Sequence, residues 1–263
     1  MNKRHRWNWW LSALTLFGLA ALQSVQATEK ECALVLMHGK WGSTQYMAAW
    51  GRKLEPVCTV KTLEMPWSQS RYYDAPYPVA LDEVARQVQA FRAEGYRRVL
   101  VGGQSFGANA SLAYMASKGD ADGVLALSPG HSPRAMFMQG MNTSELKQAR
   151  EWTESGQGQQ TVSVVDLNQG QRRSIRMSAE VFWSYFNPQG LGDMTTSARA
   201  FQKAVPLMMV VGQLDSIVSY AETGIFKQAP SHPYSRYLLV QGDHGSAPEV
   251  ATAQVVDWLR QLP

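Results

Sequence analysis

Gly103-Gln104-Ser105-Phe106-Gly107 sets a hydroxyl between two glycines, at a point where an apolar run gives way to a helical one. A serine on such a turn lies on strained backbone, and only glycines keep the neighbouring positions clear of strand and helix. The pattern alone is weak; its position gives it weight. A serine hydroxyl needs a base, and an imidazole base needs an acid to orient it. Five histidines make the search short. His5 belongs to the N-terminal leader, His38 to the turn after the first apolar run, His131 follows Pro129-Gly130, and His232 sits in a polar loop. His244, in Gln241-Gly242-Asp243-His244-Gly245, falls between the last strand-like run and the last helical one, although a solvated loop histidine would read the same way. For the acid, Asp215 lies just past another apolar run, in Val211-Gly212-Gln213-Leu214-Asp215. Asp243 is a rival, but side chains of adjacent residues usually point apart, and Asp166 and Asp193 belong to an irregular stretch. The chemistry indicated is nucleophilic catalysis, with Ser105, Asp215 and His244 in that order.

These residues must be positioned by the elements around them. Short apolar runs alternate with amphipathic stretches, the pattern of an α/β sheet. Strands are expected at Ala33–Met37, Thr59–Met65, Arg98–Gly102, Gly123–Leu127, Leu207–Val211 and Tyr237–Val240. Helices are expected at Gln45–Glu55, Val79–Glu94 and Phe106–Ser117. The second of these puts Leu81, Val84, Val88 and Phe91 on one face. A final helix over Pro248–Leu262 would open with the capping box Ser246-x-x-Glu249. Six strands with helical crossovers give a mostly parallel sheet with helices on both faces. One segment, Pro133–Val205, breaks the rhythm.

Composition removes several classes. Of 25 basic side chains, Lys3, Arg4 and Arg6 lie in the first 27 residues, which leaves 22 against 21 acidic ones. A nucleic-acid binder needs a basic surface that this remainder lacks. The basic start, the apolar run from Trp9 to Leu22 and the exit Val25-Gln26-Ala27 read as a secretory signal peptide over residues 1–27. The rival reading is an uncleaved anchor. With cleavage the product is exported, periplasmic or secreted, with no stable membrane span. Residues 28–263 suit one domain. Cys32 and Cys58, the two cysteines, precede neighbouring strands and are expected to form a disulfide. No His/Cys/carboxylate spacing resembles a metal site.

The chain resembles the α/β-hydrolase family of serine hydrolases and esterases, as an exported bacterial member. The resemblance runs from Leu34 to Leu262 and rests on His38-Gly39, the Ser105 turn, Gly212-x-x-Asp215 and Gly242-Asp243-His244-Gly245 in that order. It implies that Ser105 is the nucleophile, His244 base then acid, and Asp215 the orienting residue. It also implies an oxyanion hole from the backbone N–H groups of Phe106 and Lys40, with Trp41 the second match to Lys40, and it makes His38 structural. The family's sheet has eight strands; this chain lacks the first two.

On that reading Pro133–Val205 (133–205) is a cap-like insertion over the serine, with glycines for bends and aromatics for an apolar underside. Trp41, Trp67, Trp183 and Phe186 are candidates to line the substrate pocket, while Arg172, Arg173 and Arg176 read as a solvated hairpin face. The expected activity is hydrolysis of small-molecule or lipid-like carboxylic esters without a cofactor. Thioester or amide hydrolysis and acyl transfer use the same groups and stay open. A non-catalytic envelope binding protein is the rival from another class, and it would have no use for base and acid in register.

Overall fold

The computed structural model describes residues 30–263; the expected leader lies outside them. The chain runs β1 (Cys32–Met37), α1 (Thr44–Gly51), β2 (Thr59–Leu63), α2 (Tyr77–Ala93), β3 (Arg98–Ser105), α3 (Phe106–Ser117) and β4 (Val124–Pro129). An excursion follows, with α4 (Pro133–Met138), α5 (Thr143–Glu154), β5 (Thr161–Asn168), β6 (Gln171–Ser178), α6 (Ala179–Phe186) and α7 (Met194–Arg199). The sheet then resumes with β7 (Leu207–Gly212), a helical turn α8 (Val218–Tyr220), β8 (Arg236–Val240), α9 (Ala247–Val250) and α10 (Thr252–Gln261). Strand order is β2-β1-β3-β4-β7-β8, every pair parallel.

A parallel sheet covered on both faces needs strands that are apolar on both sides, and β1 shows how this works. Ala33, Val35 and Met37 enter the core shared with α2 and α3, while Leu34 and Leu36 enter the one shared with α1, α9 and α10. Register places Ala33 opposite Thr59, so Cys32 and Cys58 meet one step earlier. They form a disulfide, with Cα atoms 4.6 Å apart. Among the described residues, no helix is long and apolar enough to cross a membrane.

Two local expectations are corrected. The last helix is broken at Ala251 into α9 and α10, and its capping box does not form. Ser246 instead gives its hydroxyl to Asp243 Oδ1 at 2.6 Å, and Glu249 pairs with Lys53. The segment 133–205, irregular in sequence, carries four short helices and an antiparallel hairpin, β5–β6. One face of that hairpin is buried; Arg172 and Arg176 lie on the other, whereas Arg173, itself exposed, is on the face of Ile175 and Met177.

Candidate active site

Ser105 ends β3 and passes the chain to α3 with no loop between. Its backbone has φ 58° and ψ −114°, a conformation that costs a residue with a Cβ about 1–3 kcal/mol. Two glycines make the turn fit. A Cβ on Gly107 would stand 2.2 Å from Met37 O, and one on Gly103 2.5 Å from the Gly107 carbonyl carbon. Both obstacles are backbone and have nowhere to go. Gly130 is equally close: a Cβ there would lie 2.6 Å from Ser105 Oγ and 3.4 Å from His244 Cε1. Serine and imidazole therefore flank the same point.

Asp215 and His244 come from the loops after the adjacent strands β7 and β8. These loops meet backbone to backbone. Gln213 N–H donates to Val240 O at 2.9 Å and Leu214 N–H to Gly242 O at 3.0 Å. Gly212 leaves no room for a Cβ, which would fall 2.5 Å from Gly242 O. The result is a 2.7 Å contact between His244 Nδ1 and Asp215 Oδ2. A carboxylate only accepts, so Nδ1 carries the hydrogen and Nε2 presents its lone pair. Nε2 is buried and has no partner among the described residues. Gln104 Nε2 donates to His244 O at 3.2 Å, which ties the histidine loop to the serine turn.

The rival acids are committed elsewhere. Asp243 Oδ1 accepts the Ser246 hydroxyl and the Ser246 and Gly245 N–H groups. These bonds, the hydroxyl foremost, hold its carboxyl below the usual carboxylate range. Asp193 accepts Thr196 N–H at 2.8 Å at the start of α7 and pairs with Arg134.

The loop after β1 passes beside Ser105, since a Cβ on Gly39 would lie 3.1 Å from Ser105 Cβ. His38 braces it: Nδ1–H donates to Gly39 O at 2.8 Å and Nε2 accepts Met65 N–H at 3.0 Å. Burial lowers the His38 pKa below its ordinary value and favours that neutral form. Trp41 N–H is taken by Trp67 O at 2.9 Å. The Trp41 N–H is therefore already committed. A cavity of about 570 Å³ spans Ser105, Lys40, Asp215 and His244, with Met136, Leu167, Ile217 and Tyr220 among its walls. Among the described residues, no group of His, Cys, Asp and Glu side chains is placed to hold a metal ion.

Solved structures share this architecture. A putative hydrolase from Agrobacterium vitis superposes with TM-score 0.64 at 11% identity, over 89% of this chain and 88% of its own. The monoacylglycerol lipase of Paleococcus ferrophilus gives 0.61 at 16% identity, over 86% of this chain and 93% of its own. Est1E from Butyrivibrio proteoclasticus, solved with ferulic acid bound, gives 0.59 at 17% identity, over 89% and 90%. The chain has the α/β-hydrolase fold. No protein-family model and no curated protein matches the sequence.

Within the α/β-hydrolase fold the expected substrate aromatics take other places. Trp41, Trp67, Trp183 and Phe186 are not among the residues lining the cavity at Ser105. Trp67 is buried and stacks on Phe106 with centroids 4.6 Å apart. Phe186 packs against Tyr73, Phe182 and His131, and Trp183 lies against the same core. Trp41 lies under the Arg173 guanidinium, 4.2 Å from its ring. The reason is burial: α6 lies over the α2–α3 side of the sheet, and its aromatics fill that interface before any can face solvent.

Three polar residues have structural roles that sequence reasoning missed. Asn109 on α3 accepts the Tyr77 hydroxyl at 2.6 Å and donates to His131 O and Gly192 O at 2.8 Å each, bracing the turn after β4. His131 stacks on Phe106 and donates from Nε2 to Tyr185 O at 2.8 Å. Burial first, and Lys40 second, lower its pKa well below the ordinary value. Asp166 receives the Lys40 ammonium at 2.6 Å, both side chains being buried.

Proposed function

We propose that this chain is a serine hydrolase of carboxylic esters that works through an acyl-enzyme. The observation that carries the reading is the part-buried Asp215–His244 hydrogen bond, which leaves Nε2 unpartnered on an imidazole that shares the space beside Gly130 with the Ser105 hydroxyl. His244 Nε2 takes the Ser105 proton as Oγ attacks the ester carbonyl. The oxyanion forms against the N–H groups of Phe106, at the start of α3, and of Lys40; two such fixed donors supply several kcal/mol of barrier reduction. The imidazolium returns its proton to the departing alkoxide. Water then repeats the attack on the acyl-enzyme, with His244 again as base, and releases the acid and free Ser105. The esterase and lipase neighbours agree with this class of chemistry.

The excursion over residues 133–205 acts as a cap in this reading, since Met136 on α4 and Leu167 and Asn168 on the hairpin stand in the cavity wall. Export after loss of the leader fits the Cys32–Cys58 disulfide, a bond that persists in oxidising compartments. A fluorophosphonate probe should label the parent and not Ser105→Ala, and Ser105→Ala should lower kcat on p-nitrophenyl esters by roughly 10⁴-fold or more. Labelling that survives in Ser105→Ala would remove the nucleophile assignment.

A further inference from the structure

Asp166 lies in the excursion, 126 positions from Lys40 in sequence, yet its carboxylate is closed around the loop proposed to supply an oxyanion donor. Oδ1 accepts Lys40 Nζ at 2.6 Å and its neighbour's backbone N–H, from Leu167, at 2.8 Å. Oδ2 accepts the Trp41 indole N–H at 3.0 Å and the Tyr73 hydroxyl at 2.8 Å. A carboxylate offers about four lone-pair directions, and four donors occupy them. Two further bonds complete the grip: Lys40 Nζ donates to Leu167 O at 3.0 Å, and Asn168 Nδ2 donates to Lys40 O at 3.1 Å.

As a source of stability this arrangement is unremarkable in kind, because a buried ion pair gains little over apolar packing of the same volume. What it supplies is direction. Lys40 is held at its side chain by Asp166 and at its carbonyl by Asn168, and the next residue is held at both indole and backbone N–H. The Lys40 N–H itself belongs to the preceding peptide, whose carbonyl, Gly39 O, accepts from His38 Nδ1–H and Gly42 N–H. That peptide is held on one side of the Lys40 Cα, and the side chain and following peptide are held on the other by Asp166, Asn168 and Trp67 O. The N–H therefore stays aimed without reorganisation when charge develops, which is the condition for an effective oxyanion donor.

We infer that Asp166 is a positioning residue for the oxyanion hole, acting from the excursion through Lys40 and Trp41, with Asn168 as its second point of attachment. The inference rests on the hydrolase reading above. An asparagine at 166 would turn an N–H₂ group toward donors and leave the Lys40 ammonium unpaired in a buried site.

The test compares parent, Asp166→Asn, Asn168→Ala and Tyr73→Phe on a p-nitrophenyl ester, with folded fraction measured by near-UV circular dichroism and kcat referred to folded protein. Misplacing a catalytic donor by about 1 Å costs on the order of 100-fold. Asp166→Asn should therefore lower kcat about 100-fold with KM changed less than about threefold, and weaken a boronic acid transition-state analogue by the same factor. Asn168→Ala, which leaves the ion pair intact, should lower kcat by about tenfold. Should Asp166→Asn fail to fold, Asn168→Ala and Tyr73→Phe decide the matter, since both keep the buried charge pair. Folded variants whose kcat and analogue affinity stay within about threefold of the parent would overturn the inference, even if they melt at lower temperature. A parent whose activity survives Ser105→Ala would instead overturn the hydrolase reading, and the inference with it.

Discussion

Two turns flank the same cavity and are held in different ways. The serine turn is positioned from within: Gly103, Ser105 and Gly107 lie within five residues, and their backbone packs on Met37. The loop carrying Lys40 has a local brace in His38 but is also held from outside, by Asp166 and Asn168 far along the chain. A local device depends on the few residues that form it and on the strand beside them. A distant one depends on the whole excursion being docked. The first should fail by unfolding, the second by losing rate in a molecule that remains folded.

Glycine substitutions probe that contrast most strongly. Gly107→Ala forces a Cβ against the Met37 carbonyl at 2.2 Å, and should destabilise the fold by about 4 kcal/mol or more, among the largest single-residue effects. Gly39→Ala meets only Ser105 Cβ at 3.1 Å and the Gln104 side chain at 3.2 Å, so it should fold and show its defect in kcat. Denaturant titration beside steady-state rates separates the two, and a Gly39→Ala protein that unfolds as readily as Gly107→Ala would erase the distinction.

The disulfide offers an intermediate effect. Cys32 and Cys58 join β1 and β2 at the amino edge of the sheet, away from the strand ends that carry Ser105, Asp215 and His244. Replacing both by serine should cost about 3.5 kcal/mol on the chain-entropy model, for a loop of this length. Stability should fall while kcat of the folded protein holds. A matching fall in kcat at temperatures where the protein is folded would show that the edge of the sheet also positions the site.

The smallest effect is in pH. His38 and His131 both have pKa values lowered by burial, below the 6.5 expected of an unfolded chain. The unfolded state therefore binds their protons first as pH falls. Stability is fully present above about pH 6.5 and is lost as pH drops toward the folded values, by up to about 1.4 kcal/mol per pH unit for each histidine. Urea unfolding at pH 7.5 and 5.5 should show the loss, and His131→Gln should reduce it. A profile that is flat, or that rises toward pH 5.5, would contradict the assignment.

Legibility in sequence followed the same division. The helix expected at Phe106–Ser117 is the one observed, and all six strands appear within two or three residues of their expected ends. Both-sided burial writes continuous apolar runs into the sequence. Ser105, Asp215 and His244 could be picked out because each stands at or soon after a strand end. Asp166 could not, because nothing near it in sequence indicates Lys40 as a partner. The pattern of β5 reports only which face is buried, and aromatic content does not distinguish a residue packed under α6 from one facing a ligand. The Ser246-x-x-Glu249 motif failed for a related reason: Asp243 and Lys53 compete for the same two side chains.

β4 and β7 are hydrogen-bonded neighbours, Val124 opposite Leu207, although residues 130–206 separate them. For the sheet this interruption is nearly indifferent, since lengthening a loop twofold adds only about 0.6 kcal/mol of closure entropy. On that ground the junction looks like a socket into which unrelated inserts could be exchanged. The grip of Asp166 on the loop after β1 makes it otherwise. An insert swapped in from another protein would leave the strands paired and Ser105 on its turn, but would take away the anchor of Lys40. Grafts at this junction should therefore yield folded, slow proteins unless the carboxylate travels with its replacement.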